Sequence, residues 1–214
     1  MPKNFKPKQG SGDTGLTDII TGKKIRKTDA RIKAIADIDE LTCLLGLLKA
    51  RFKKSSKLKT YIKELEKIQK NLFIVSGIIA GMKCLTEIKT ETANLEELTN
   101  VLSKKTPKLK NFIIPGKSET EALINLARAR ARLAEISVWE TKKFKAMPGV
   151  VLMSYAHQTT KTMPSGLGYR KDCWGHKAMP GVVSGSYAHQ ATKFSAVYLN
   201  RLSDYLFLLA LKSL

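Results

Sequence analysis

The sequence predicts an all-α fold, a bundle of five helices in one domain, and three observations predict it. Apolar residues recur at spacings of three and four, Asp29 and Ser118 stand where two of the periodic runs begin, and no convincing alternation of period two lies between them. Residues 1–29 are polar and rich in Gly, Thr and Lys, the composition of an orderable loop. From Asp29 onward Ile32, Ile35, Ile38, Leu41, Leu44, Leu45 and Leu48 mark the first helix, with Asp29 as its cap. A second helix is expected over 57–83, through Tyr61, Ile62, Leu65, Ile68, Leu72, Phe73 and Ile79. Leu95 to Leu102 predicts a short third helix that ends before Pro107. Pro115-Gly116 is a break, after which Ser118 caps a long fourth helix to about Trp139. A fifth, nearly all apolar on one side, is expected from about Ala196 to Leu211.

Composition narrows the class. The 214 residues suffice for one domain with a real core, and 43% hydrophobic residues make the chain globular. No apolar run is long enough to cross a membrane, and the basic start MPKNFKPKQG lacks the apolar region of a signal peptide, so a cytoplasmic location is expected. Cys43, Cys84 and Cys173 form no CxxC pair and are expected as reduced thiols. The net charge of +20 attracts polyanions, but the lysines are scattered and no aromatics interleave with them. No base-reading motif supports a nucleic-acid partner.

One region stands outside the helical scheme. Residues 145–161, KAMPGVVLMSYAHQTTK, recur at 177–193 as KAMPGVVSGSYAHQATK, identical at fourteen of seventeen positions. Two copies are too few for a solenoid, and their Pro, Gly and Ser content predicts an insertion loop with a short hairpin per copy. His157 and His189, with His176 or Cys173, show no metal-ligand spacing, so no metal site is assigned there. The expected organisation is an N-terminal loop segment 1–29, a bundle of 30–144 and 194–214, and the insertion 145–193.

Two segments carry candidate chemistry. In Ser11-Gly12-Asp13-Thr14-Gly15-Leu16-Thr17, small residues let backbone N–H groups converge on phosphate oxygens, hydroxyls add donors, and Lys27 supplies charge. It is not a Walker A loop. In the fourth helix Arg128, Arg132 and Glu135, at i, i+4 and i+7, share a face on which a guanidinium row suits phosphate, while Arg130 points elsewhere. Asp39 lies near the apolar stripe of the first helix and must be paired there, with the fourth helix as candidate partner.

In order along the chain, these pieces resemble the PduO-type cobalamin adenosyltransferases over about residues 9–140 and 194–211. A TGDxGxT-like loop is matched by Ser11 to Thr17, and R-x-x-A-x-G-x-x-DEL by Arg31, Ala34, Ala36 and Asp39-Glu40-Leu41. Ile68-Gln69 with Leu72-Phe73 matches I-Q-x-x-L-F, and Phe112-Ile113-Ile114-Pro115-Gly116 echoes F-I-L-P-G-G. Ile124 to Arg128 and Arg132 to Glu135 follow L-H-x-A-R-x-x-x-R-R-A-E, and Tyr198 to Phe207 keeps Y-L-N-R-L-S-D-x-L-F. The chain departs from the pattern at Gln9, Lys117, Asn125 and Leu133, where the family has threonine, glycine, histidine and a second arginine.

The resemblance implies a five-helix bundle assembled as a homotrimer with active sites between neighbouring subunits. It implies transfer of the adenosyl group of ATP to the cobalt of reduced cobalamin, with Mg2+ on the triphosphate. Ser11, Gly12, Asp13, Gly15, Thr17 and Lys27 would surround the triphosphate and its metal. Arg128 would be held by an ion pair with Asp39, Arg132 would contact phosphate, and Glu135 and Asn200 would position the nucleoside. Phe112 would pack on the corrin face at the lower axial ligand. A reductase and an adenosylcobalamin-dependent enzyme are the implied partners. The family's C-terminal tail, which helps cover the corrinoid, is expected to be largely missing. Two other readings stand beside this one: a weakened family member serving as carrier or sensor of ATP or adenosylcobalamin, and a basic helical RNA-binding protein.

Overall fold

In the computed structural model, which describes residues 9–10, 12–20, 22–106, 113–141 and 185–214, helix α1 (Ala30–Phe52) starts at Asp29. The Asp29 carboxylate accepts the backbone N–H of Arg31 at 2.9 Å and its guanidinium at 3.0 and 2.8 Å. The side-chain hydrogen bond from Arg31 holds the Asp29 carboxyl below the usual carboxylate range. Ahead of it, a two-stranded antiparallel hairpin joins β1 (Leu16–Asp18) to β2 (Lys24–Arg26), with Thr17 opposite Ile25. The N-terminal segment therefore contains strands where only a loop was expected.

Helix α2 (Ile62–Ile79) follows a 3₁₀ turn at Lys59–Tyr61, so the helix expected over 57–83 is shorter at both ends. Its stop has a clear cause. Gly81 takes φ +104°, its N–H reaches the Ile78 carbonyl at 3.0 Å, and the Met82 N–H reaches Gly77 at 2.8 Å. That pair of bonds is a Schellman cap, which needs a left-handed residue where glycine alone is unstrained.

Helix α3 (Leu85–Lys104) is much longer than the expected Leu95–Leu102. Its buried line is Ile88, Thr92, Leu95 and Leu102, and the threonine hides the period. Thr92 is tolerated there because its hydroxyl donates to the Ile88 carbonyl at 2.6 Å. Helix α4 (Glu119–Glu140) begins at Ser118, whose hydroxyl accepts the Glu121 N–H at 3.1 Å. Helix α5 (Gly185–Ser213) starts well before Ala196. Residues 185–193 of the second repeat copy are thus helical and not loop: Thr192 donates to Ala188 at 3.1 Å, and the Tyr187 hydroxyl donates to the Met82 carbonyl at 3.2 Å. The rest of the repeat, with His157, Cys173 and His176, lies outside the described residues.

Helix α4 packs on both α1 and α5. Its inward residues are Ile124, Ala127, Ala131, Ala134 and Val138, all fully buried, at alternating steps of three and four. Three alanines among five let two helices approach it closely. Opposite them stand Ile38, Leu41, Leu45 and Leu48 of α1 and Leu199, Leu202, Leu206 and Leu209 of α5. Polar rungs fix direction. Lys33 meets Glu140 at 3.0 Å, Arg130 meets Glu40 at 2.8 Å, Ser137 bonds Asp37, and Arg51 pairs with Glu119, so α1 and α4 run antiparallel. Gln69 of α2 donates to the Thr42 carbonyl at 2.8 Å and accepts from Lys49 at 3.0 Å, which fixes the opposite flank of α1. Among the described residues no helix is long and apolar enough to cross a membrane.

Candidate functional site

The second flank of α4 faces α5, and most of the fourth-helix candidates gather there. The Arg128 guanidinium lies 6.0 Å from the centroid of the Phe207 ring, at the limit of a cation–π contact. Two turns further along, the Glu135 carboxylate accepts from Asn200 at 3.4 Å and from the indole N–H of Trp139 at 3.3 Å. Thr141 and Thr192 approach to 3.3 Å at the far end. The rungs 128–207, 135–200 and 141–192 make an antiparallel seam. Arg132, exposed to solvent, projects between the first two rungs. Its charge is available to a ligand lying along the seam.

Asn200 is held from both sides, since its carbonyl oxygen accepts from Arg201 at 3.1 Å and Arg201 in turn donates to Glu96 of α3 at 2.7 Å. A cavity of about 290 Å³ beside this network is lined by Glu96, Thr99, Asn100, Arg201 and Asp204. The three helices α3, α4 and α5 therefore brace the nucleoside candidates.

The leader segment is a separate small unit within the chain. Gly12 and Gly15 have φ of +91° and +77°, and the Gly15 N–H bonds the Gly12 carbonyl at 3.1 Å. The Lys27 N–H closes on the Gly15 carbonyl at 2.9 Å. A Cβ on Gly12 would stand 3.0 Å from Lys27 Cε and Nζ, so only glycine leaves the amine this close to the loop backbone. Asp13 is exposed in the same turn, and Thr17, just beyond it on β1, is half-buried. Gly12, Asp13, Gly15, Thr17 and Lys27 are thus together, whereas β1 and β2 contact chiefly each other. Ser11 and Phe112 lie outside the described residues.

Asp39 is not where an ion pair with Arg128 of the same chain requires it. It is exposed, one turn before Thr42 on the α2 side of α1, whereas Arg128 is on the α5 side of α4. Residues near them in sequence do pair across the helices within the chain, as Arg130–Glu40. Partial desolvation holds the Asp39 carboxyl above the usual carboxylate range.

Sequence reading passed over one group. Glu121, 1% exposed, accepts the N–H groups of Gly116 at 2.7 Å and Lys117 at 3.2 Å. Its other oxygen accepts from Asn125 at 2.5 Å, and Asn125 accepts from Arg128 Nε at 3.2 Å. The i, i+4, i+7 spacing of Glu121, Asn125 and Arg128 was the available signal.

Comparison with known proteins agrees with this architecture. The family model for cobalamin adenosyltransferase matches residues 8–156. A corrinoid adenosyltransferase of Mycobacterium leprae is 31% identical over 153 residues, covering 67% of this chain and 78% of that protein. One from Citrobacter freundii is 33% identical over 131 residues, 58% of this chain and 72% of its own length. A solved variant of the PduO-type ATP:corrinoid adenosyltransferase from Lactobacillus reuteri, complexed with cobalamin and ATP, has a TM-score of 0.68 at 22% identity. The match covers 97% of this chain and 93% of that one.

Proposed function

The chain belongs to the cobalamin adenosyltransferase family and is a corrinoid adenosyltransferase, and we propose that its nucleotide site runs along the α4–α5 seam and is completed by a neighbouring protomer. The 5′-deoxyadenosyl group of ATP passes to Co(I) of a reduced corrinoid. The cobalt electron pair forms the Co–C5′ bond, the C5′–O bond breaks, and triphosphate leaves with that bond's electrons. Co(I) is already a powerful nucleophile, so no protein base is required. The chain's task is to hold C5′ in line with cobalt and to stabilise the departing triphosphate.

What carries this reading is the seam: two guanidiniums one turn apart, followed by the Glu135–Asn200 rung, on one side of one helix. Arg128 and Arg132 take phosphate oxygens, and Glu135 with Asn200 positions the nucleoside. Gly12, Gly15 and Lys27, with Ser11, cradle the triphosphate tail. Asp13 and Thr17 offer the oxygen donors Mg2+ takes, so the residues fit that ion, which would neutralise triphosphate charge. Phe112, outside the described residues, would pack on the corrin at its lower axial side and favour loss of that ligand, as the family resemblance implies.

The separation of Asp39 from Arg128 and the self-contained hairpin both support a homotrimer in which one protomer's leader and Asp39 meet the next protomer's α4. A reductase that delivers Co(I) and an enzyme that consumes adenosylcobalamin are the expected partners, in the cytoplasm. One observation favours the carrier reading: Leu133, 47% exposed, replaces an arginine of the motif. Anaerobic incubation of the purified protein with cob(I)alamin and ATP separates the two. Spectral conversion to adenosylcobalamin with release of triphosphate is expected, and ATP binding without conversion would leave only the carrier.

A further inference from the structure

The line Glu121–Asn125–Arg128 joins the Pro115–Gly116 turn to the first arginine of the seam. Glu121 is buried, and every group bonded to its carboxylate is a donor: two backbone N–H groups and the Asn125 amide. Asn125 is thereby oriented with its Nδ2 toward Glu121, which leaves Oδ1 to accept from Arg128 at 3.2 Å. That bond occupies Nε of the guanidinium. Among the described residues neither Nη of Arg128 has a hydrogen-bond partner, so the edge that grips an oxyanion bidentately stays open.

We propose that Glu121 and Asn125 are positioning residues that aim Arg128 at the nucleotide phosphates. The inference rests on the assignment of Arg128 to those phosphates. Asparagine does here what only a neutral histidine could do at the same place. A carboxamide donates to Glu121 and accepts from Arg128 at any pH, whereas an imidazolium carries two donors and cannot accept from Arg128.

The test uses steady-state adenosylation with ATP and corrinoid varied separately. Asn125→Leu, which removes both bonds at similar volume, should raise the KM for ATP at least about fivefold while the KM for corrinoid stays within about twofold. In an Arg128→Ala background the same change should add nothing, because Asn125 acts through Arg128. Asn125→His should match the parent near pH 8 and lose ATP affinity below about pH 6.5, with the parent flat over that range. An unchanged ATP KM in Asn125→Leu beside a raised one in Arg128→Ala would overturn the relay and spare the site. Parent-like kinetics in Arg128→Ala would overturn both. Should Asn125→Leu fail to fold, the pH profile of Asn125→His decides, and a flat profile overturns the proposal.

Discussion

The guanidinium of Arg130 meets the carboxylate of Glu40 at 2.8 Å, and this pair fixes the direction in which their neighbours Arg128 and Asp39 face. With Arg130 turned to α1, Arg128 must look toward α5, and with Glu40 turned to α4, Asp39 must look toward α2. Two ionic partners suggested by the motif are thereby separated in one chain and free to meet between chains.

Asp39 should therefore respond oppositely in protomer and assembly. Its folded pKa is raised by desolvation, so its charged form destabilises the lone protomer above that pKa and the penalty fades as pH falls through it. Asp39→Asn should stabilise the dilute protomer at pH 7 with the gain vanishing towards pH 4, and should weaken assembly. Denaturant melts at two protein concentrations across that range check both signs.

Arg132 projects between two rungs of the seam without a partner of its own among the described residues. Arg132→Ala should lower turnover at least about tenfold, the scale of losing about 1.4 kcal/mol of transition-state stabilisation, with the melting temperature nearly unchanged. Kinetics equal to the parent would remove Arg132 from the mechanism.

The Asp29 cap stabilises α1 next to the leader hairpin. Asp29→Ala should cost about 1 kcal/mol at pH 7. Because the folded pKa of Asp29 is depressed, that contribution is complete above the unfolded value of about 3.9 and is lost as pH falls through the folded one. The difference between parent and variant should be constant from pH 5 to 8 and shrink below about pH 4.

Ala131 is fully buried where α4 passes between α1 and α5. Ala131→Leu should overpack that crossing and cost about 1–3 kcal/mol, read as a lowered denaturation midpoint at unchanged slope.

The sequence carried the helices whose ends are capped by side chains and whose inner face is aliphatic, and α1 and α4 are both of this kind. It concealed the first turns of α3 and α5, where Thr92 and Thr192 stand on buried faces and satisfy their hydroxyls on carbonyls four residues back. Periodicity counts a threonine as polar, whereas the helix accepts it once that hydroxyl is bonded. Spacing placed Arg128, Arg132 and Glu135 on one side of α4, but spacing within a helix cannot say which neighbour that side meets. The pairing of Arg130 with Glu40 required the fold. Asn125 read as a departure from a motif, and its role became visible only beside the buried Glu121.

Cross-protomer complementation tests the site most directly. Asp39→Ala and Arg128→Ala, each expected to be strongly impaired but measurable alone, are to be co-expressed in equal amounts and purified as mixed oligomers. If the leader and Asp39 of one protomer complete the α4 seam of the next, activity should return to about a quarter of the parent's, the statistical share of interfaces that keep both side chains. Activity no greater than the mean of the two variants would contradict a site shared between protomers.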